Sequence, residues 1–249
     1  MKKLTLAFFL ITQITFSQIL NVESLRKVTD TSGWSGAINL NLELKRNTND
    51  FINLGSNIHI QYKMKKHLIL FKNDVSFEKI EAENFDNSFV SHIRYNYRFH
   101  DKIAWEAFTQ GQYNKINLIN FRGLLGTGPR FKLSKSENYK FYLGTLVMYE
   151  YEEVDDGVTP IQRDVRNSSY LSFSLYPSEN ISFISTTYYQ PNLSGISDYR
   201  ISSQSSLLVS VFKNFALQIN YLFTYDAFPA VGIPKSQYNF NTGFTYSFD

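Results

Sequence analysis

The chain has 249 residues, no cysteine and a formal net charge of +3, which excludes a disulfide framework and thiolate chemistry and offers no clustered basic face to a nucleic acid. Past the first residues, no stretch of 18 consecutive apolar residues occurs, which excludes a helical membrane protein. Aromatic residues make up 16% of the chain, with 22 Phe and 17 Tyr, as expected where aromatic girdles sit at two membrane interfaces. Mean hydropathy of −0.26 does not contradict this, because a barrel strand hides its apolar residues by alternation.

Lys2-Lys3, the apolar run Leu4 to Ile14 and then Thr15-Phe16-Ser17 have the order of a secretory signal. The run is too short to cross about 30 Å of hydrocarbon as a helix. Residues 1–17 are therefore read as a signal peptide cut after Ser17. Its removal takes Lys2 and Lys3 and leaves +1 by the same count. No cysteine follows the cut, so a lipoprotein is excluded. Residues 18–33 are read as a short periplasmic lead-in and 34–249 as one barrel.

From Trp34 onward apolar and polar residues alternate with period two, the signature of strands with one greasy and one wet face. Strand one points Trp34, Ile38, Leu40, Leu42 and Leu44 one way and Asn39, Asn41 and Glu43 the other. Strands two and three follow around a tight Lys63–Lys66 turn, with His59, Lys72 and Asp74 on the wet face. Strand four turns His92, Arg94, Asn96 and Arg98 inward, and strand five turns Glu106, Gln110 and Gln112 inward. Strand six carries Arg122, Arg130 and Lys132 inward, with Gly126 and Gly128 marking a close approach and Pro129 a local break in pairing. Strand seven turns Met148, Glu150 and Glu152 inward. The longest loop, Glu153 to Val165, precedes strand eight with inward Arg166. Strand nine, the loop Gln190–Ser197, strand ten with inward Asp198 and Arg200, and strand eleven up to Asp226 follow. The last strand, Tyr238 to Asp249, puts aromatics on nearly every even position. The twelve strands predict an all-β, antiparallel, porin-like transmembrane β-barrel. The second, fourth, sixth, eighth and tenth connections are tight and most of the others longer, matching short periplasmic turns and longer outer loops.

The inward charges are the candidate site. Placing each hairpin symmetrically about its turn sets Arg122 opposite Glu150, Glu150 opposite Arg166, and Arg200 near Asp226; Arg94 and Glu106 add to the same lumen network. Opposed unlike charges stabilise cross-strand pairs modestly. They form either a constriction that selects solutes by sign and size or a salt-bridged plug, since about twelve strands enclose a narrow lumen. No cofactor or metal motif is present. The four histidines are His59, His67, His92 and His100; none is in register with an outward Ser and no Gly-x-Ser-x-Gly elbow exists, so no enzyme is expected. A lipid hydrolase is the least favoured reading. The acidic stretch Glu152 to Gly157 lacks the ligand spacing of a calcium loop and is read as a solvated loop.

Trp34-x-Gly36, Asn47-Thr48, Arg122 followed by Gly126-x-Gly128, Tyr189-Gln190-Pro191, Asp198-Tyr199-Arg200 and Tyr246-x-Phe248 together resemble, in order, the YdiY-like family of salt-induced outer-membrane proteins, a domain of unknown function. Arg46 stands where the family has Gly before Asn-Thr, and Asp249 follows the terminal aromatic. The resemblance implies an outer-membrane location in a Gram-negative bacterium, with membrane lipid and the barrel-assembly machinery as partners, the latter through the C-terminal strand. It implies no substrate and no catalytic residue. The expected function is a narrow channel for small solutes or ions with a charge-paired lumen, or else a closed structural or surface-binding barrel.

Overall fold

The structure, a computed structural model, describes residues 32–46, 50–80, 83–136, 138–212 and 215–246. The signal peptide, most of the lead-in, the Asn47–Asn49 tip, the Lys213-Asn214 turn and Ser247–Asp249 lie outside the described residues. The alternation produces strands throughout: β1 (Gly33–Arg46), β2 (Asp50–Met64), β3 (His67–Ile80), β4 (Glu83–His100), β5 (Ile103–Asn114), β6 (Ile119–Lys132), β7 (Tyr139–Val154), β8 (Gln162–Ser178), β9 (Ile181–Asn192), β10 (Gly195–Phe212), β11 (Phe215–Asp226) and β12 (Ser236–Tyr246). They form a single twelve-stranded sheet in chain order, and the ladders between successive strands are antiparallel. The first strand begins at Gly33.

The sheet curls until distant strands meet on its concave side. Tyr170 of β8 reaches Glu106 of β5, and Arg200 of β10 reaches Glu150 of β7. Gln237 of β12 donates to Asn117 in the β5–β6 turn at 3.0 Å. The concave face is polar and buried: Gln61, His92, Arg94, Glu106, Gln112, Arg122, Glu150, Arg166 and Arg200 all lie there. The convex face is apolar and exposed, with Leu40, Ile93, Leu125, Leu143, Val147 and Leu171 among its residues. This is the inverse of a soluble domain, whose charges are almost never fully buried. The convex face carries a polar patch at mid-depth on β7–β10. There Asn167 and Ser169 bond Thr145, Ser185 bonds Ser205 and Thr187 bonds Ser203, so these hydroxyls satisfy one another.

Two rims define the molecule. The terminal rim holds Gly33 of β1, Tyr246 of β12 and the turns Lys65-Lys66, Asp101-Lys102, 133–138 and Glu179-Asn180. The distal rim holds the β7–β8 and β11–β12 loops. The expected alternation of loop length is weaker than the sequence implied. Strands run on into the expected loops, so that β9 and β10 are separated by Leu193-Ser194 alone and β3 and β4 by residues 81–82. Ladder pairing holds the β3–β4 ends extended, whereas at β9–β10 the register shifts between Gly195 and Tyr199.

Two of the expected cross-strand pairs are displaced by two residues. Arg122 pairs with Glu152 and Leu124 with Glu150; Glu150 pairs with Asp164 and Met148 with Arg166. The cause lies in the turns. The Leu133 N–H bonds the Phe141 carbonyl at 2.8 Å, which moves the β6–β7 centre toward β7. The β7–β8 ladder centres on Gly157, whose φ of +75° lets the loop turn there rather than at its midpoint. A slip of two preserves the face of every residue, so the inward set stands. Arg200 does pair with Asp226. The break expected at Pro129 is present, since Gly128 and Pro129 have no partner in the β6–β7 ladder. A proline has no N–H to give.

Below the charged residues, Phe108, Leu124, Leu146, Met148, Tyr170 and Tyr188 form a buried apolar layer inside the curl. Gly144 makes room for it: a Cβ there would lie 2.1 Å from the Tyr170 ring, whereas at outward Gly111 nothing lies within 4 Å. Overpacking costs about 1–3 kcal/mol. Gly144→Ala should therefore lower the temperature at which folded protein shifts to its unfolded position in semi-native electrophoresis, while Gly111→Ala should leave it in place.

Candidate functional site

The distal half of the lumen is organised on one carboxylate. Glu150, mid-strand on β7 and fully buried, faces three guanidiniums from three other strands. Arg122 Nε of β6 donates to its Oε1 at 2.5 Å, and Arg166 Nε of β8 donates to its Oε2 at 2.5 Å. Arg200 Nη1 of β10 donates to Oε1 as well. Each arginine has further carboxylates. Arg122 also lies 3.2 Å from Glu152. Arg200 donates through Nη2 to Glu152 at 2.8 Å and through Nε to Asp226 at 2.7 Å. Arg166 grips Asp198 with a two-pronged fork, at 3.1 and 2.8 Å, and touches Asp164 at 3.3 Å. Such forks match the planar guanidinium to a carboxylate. Three cations thus face five carboxylates in one connected cluster.

A second cluster sits nearer the terminal rim. Glu106, buried on β5, lies 3.6 Å from Arg94 of β4 and 3.6 Å from Arg130 of β6. It accepts hydrogen bonds from the Tyr170 hydroxyl at 2.7 Å and from the Asn96 amide. The Arg94 guanidinium also lies over the Phe108 ring at 5.5 Å, and Arg130 stacks 3.7 Å from the Tyr142 ring centre. All seven expected lumen residues, Arg94, Glu106, Arg122, Glu150, Arg166, Arg200 and Asp226, are therefore buried on the concave face, in two clusters rather than one. Glu152 and Asp198 are inward by alternation too, although hairpin symmetry does not assign them to the network. Asp164 and Tyr170 were missed. Asp164 became legible only with the β7–β8 register, and Tyr170 only with the curl that brings β8 to β5.

The histidines scatter. His59 and His92 are buried in the lumen on β2 and β4. His92 stacks on Phe108 at 5.4 Å and lies 3.0 Å from Gln110. His67 meets the Tyr95 hydroxyl at 2.7 Å. Among the described residues, no group of three or more His, Asp and Glu has the geometry of a metal site. In the acidic loop, Asp156 spends its carboxylate locally. Oδ1 accepts from the Val158 and Thr159 amides, and Oδ2 accepts from the Thr159 hydroxyl and from the Val231 amide at 2.9 Å. The Thr159 hydroxyl, followed by the Val231 and Thr159 amides, holds this carboxyl well below the usual range. Asp156 thus latches the β7–β8 loop to the β11–β12 loop. The same loop is tied on its other side to the β5–β6 turn, where the Asp155 amide bonds the Leu118 carbonyl at 2.8 Å.

Breaking a buried pair costs about 3–5 kcal/mol because a charge is left uncompensated. Glu150→Gln keeps the shape but strips the shared anion from three guanidiniums, and should lower thermal stability in semi-native electrophoresis by an amount of that order. Asp226→Asn should cost clearly less, since Arg200 keeps Glu150 and Glu152. Equal losses would show that Glu150 is not the hub.

No curated protein matches the chain significantly. Among solved structures the chain is similar to a NanC porin in a rhombohedral crystal form, at 9% identity and a TM-score of 0.49, over 79% of this chain and 94% of that one. It is also similar to the β domain of the Bordetella autotransporter BrkA, at 10% identity and a TM-score of 0.33, over 87% of this chain and 99% of that one. The DUF481 family, described as a protein of unknown function, matches residues 29–248, which span the whole described sheet, and the chain belongs to it.

Proposed function

We propose that the protein is a barrel of the Gram-negative outer membrane, exported by the signal in residues 1–17, with a narrow polar path for small solutes or ions. The observation that carries the membrane reading is the inversion of the sheet: charges buried inside, aliphatic residues exposed outside. Two aromatic belts frame the exposed band. Near the terminal rim Phe141, Phe173 and Phe183 lie in contact, as do Phe215 and Phe244 and the pair Trp34–Tyr62. Near the distal rim stand Tyr189, Tyr199 and Tyr225, and Phe121 with Tyr151. Phe141 and Tyr151 are ten residues apart on β7, about 33 Å along a strand and about 25 Å in height at a tilt of roughly 40°. That is the height of the apolar band of an outer-membrane barrel. In hydrocarbon every backbone group must be paired, so the reading requires β1 and β12 to pair with each other. The terminal rim, with its short turns, then faces the periplasm. Membership of the YdiY-like, salt-induced group and delivery by the barrel-assembly machinery through β12 belong to the same proposal, which assigns no catalysis.

The path is argued from uneven filling. Inward residues of β5–β9 are packed, whereas Asn39, Asn41, Asn57 and Gln218 on β1, β2 and β11 remain exposed. Solute would pass along that wall, beside the charge network rather than through it. The apolar layer around Met148 favours a second reading, a closed barrel with a surface role.

Planar-bilayer recording of refolded protein separates the two. Small discrete conductance steps are expected; silence from protein that still migrates as folded would overturn the channel and leave the closed barrel. The membrane face has its own test. Val147 is 55% exposed at mid-strand, and an arginine at the bilayer midplane costs about 2–4 kcal/mol. Val147→Arg should block stable insertion into vesicles while Val147→Ala inserts; normal insertion of the arginine variant would place that face away from lipid.

A further inference from the structure

The terminal rim carries a feature that the channel reading leaves unused. A cavity of about 280 Å³ opens there, lined by Lys63, Arg98, Lys102, Arg130, Lys132 and Lys140. Its volume is at the lower edge of the roughly 300–1,000 Å³ range of small-molecule sites. Arg98 on β4, Arg130 and Lys132 on β6 and Lys140 on β7 share the inward parity of the lumen set, as does Lys63 on β2; Lys102 is in the β4–β5 turn. Asp101 is the one carboxylate in the lining. The cations therefore come from four strands and a turn, converge on the concave side, and outnumber the carboxylate heavily.

Arg130 is buried and held from two sides, its guanidinium stacked on Tyr142 and its Nε directed toward Glu106. Arg98 and Lys102 are exposed, and Lys63, Lys132 and Lys140 are half-buried. A planar donor at the base with ammonium groups around it suits an anion bearing several oxygens. The guanidinium orients one group bidentately, and the lysines close as point charges. A cleft lined by one sign of charge also raises the local concentration of counter-ions. The carboxylates of the distal half lie at the other end of the lumen.

We infer that this vestibule is a binding site for small multivalent anions, solutes carrying phosphate or several carboxylates. The inference rests on the outer-membrane barrel reading for its place at the periplasmic mouth. It also gives the proposed path a solute class. The site faces the lumen, whereas the outward face at this rim is an aromatic belt, so the anion is a free solute rather than a lipid headgroup.

The test is calorimetric titration of the folded full chain, in nanodiscs of zwitterionic lipid, with inorganic pyrophosphate. Saturable binding at one equivalent is expected, weakening steeply as salt shortens the screening length. The double variant Lys132→Gln/Lys140→Gln should weaken it at least tenfold, and the exposed Arg98→Gln should weaken it severalfold without disturbing folded migration. Arg163→Gln, on β8 at the distal rim, should leave it unchanged. No saturable binding by folded wild-type protein, or equal loss with Arg163→Gln, would overturn the site. Loss of binding in nanodiscs of anionic lipid at equal salt would assign the cavity to headgroups and overturn the free-solute assignment. Binding does not require conduction. Conduction without binding would sink the site alone, while binding with bilayer silence would sink the channel alone.

Discussion

The arrangement depends most on the need to bury three guanidiniums against one another's partners. Arginine cannot shed its charge inside a protein, and removing such an ion from water costs several kcal/mol unless its donors are met. Arg122, Arg166 and Arg200 come from β6, β8 and β10, and all three converge on Glu150 of β7. β7 is the direct neighbour of β6 and β8, but β10 is three strands away. For Arg200 to reach Glu150 the sheet between them must curl. The ion cluster is thus coupled to curvature. A flatter sheet would leave Arg200 with Asp226 alone and Glu150 with two cations. The same holds for the Tyr170–Glu106 contact, which ties β8 to β5 across the same interior.

Curvature of this kind leaves room only where side chains are small. Gly126 and Gly144 lie under the rings of Phe108 and Tyr170, so on the β5–β9 side the middle of the lumen is filled by apolar packing between two charged clusters. The two clusters are not duplicates. The distal one has more carboxylates than guanidiniums, while the one around Glu106 has two guanidiniums for one carboxylate and uses Tyr170, Asn96 and aromatic faces to complete the shell. Packing is concentrated on β5 to β10. The opposite wall, β11, β12 and β1 to β3, is largely polar, with Asn41 bonded to Asn53, Asn53 to Glu78 and Lys72 paired with Asp74. Such a wall tolerates water, and any path through the lumen follows it.

Which residues face inward was legible in the sequence because side-chain direction in a strand depends only on parity. Every one of the seven lumen residues is on the expected face. Which residue sits beside which was less legible, because register is set at the turns. Counting from the middle of a polar stretch misplaced β6–β7 and β7–β8 by two residues, since a single φ-positive glycine and one bond from Leu133 to Phe141 set the centres. The network nevertheless connects the expected residues, because Arg and Glu are long enough to reach a diagonal neighbour. Contacts between non-adjacent strands left no trace in the pattern. Neither Tyr170 with Glu106 nor Arg200 with Glu150 can be read from hairpin geometry, for they follow from the radius of the curl. Loop lengths were overestimated for a related reason: polar strand ends read as loop although their backbone groups remain in the ladder.

The small formal charge of the chain conceals a strong axial separation. Glu150, Glu152, Asp164, Asp198 and Asp226 are gathered at the distal end, and all are engaged by guanidiniums. At the terminal end Lys63, Arg98, Lys102, Lys132 and Lys140 surround a water-accessible cavity with Asp101 as their nearest carboxylate in the lining. Charges that are paired and buried produce little field in the lumen, whereas unlike numbers around an open cleft produce a large one. A mobile anion therefore meets a distal half in which carboxylates outnumber guanidiniums and a cationic terminal half, and the potential along the lumen slopes one way. Net charge could not report this, because it sums over both ends. The slope is set where the strands place their charges: β7 runs from Lys140 at the terminal end to Glu152 at the distal end, and β6 and β10 bring Arg122 and Arg200 to the distal carboxylates.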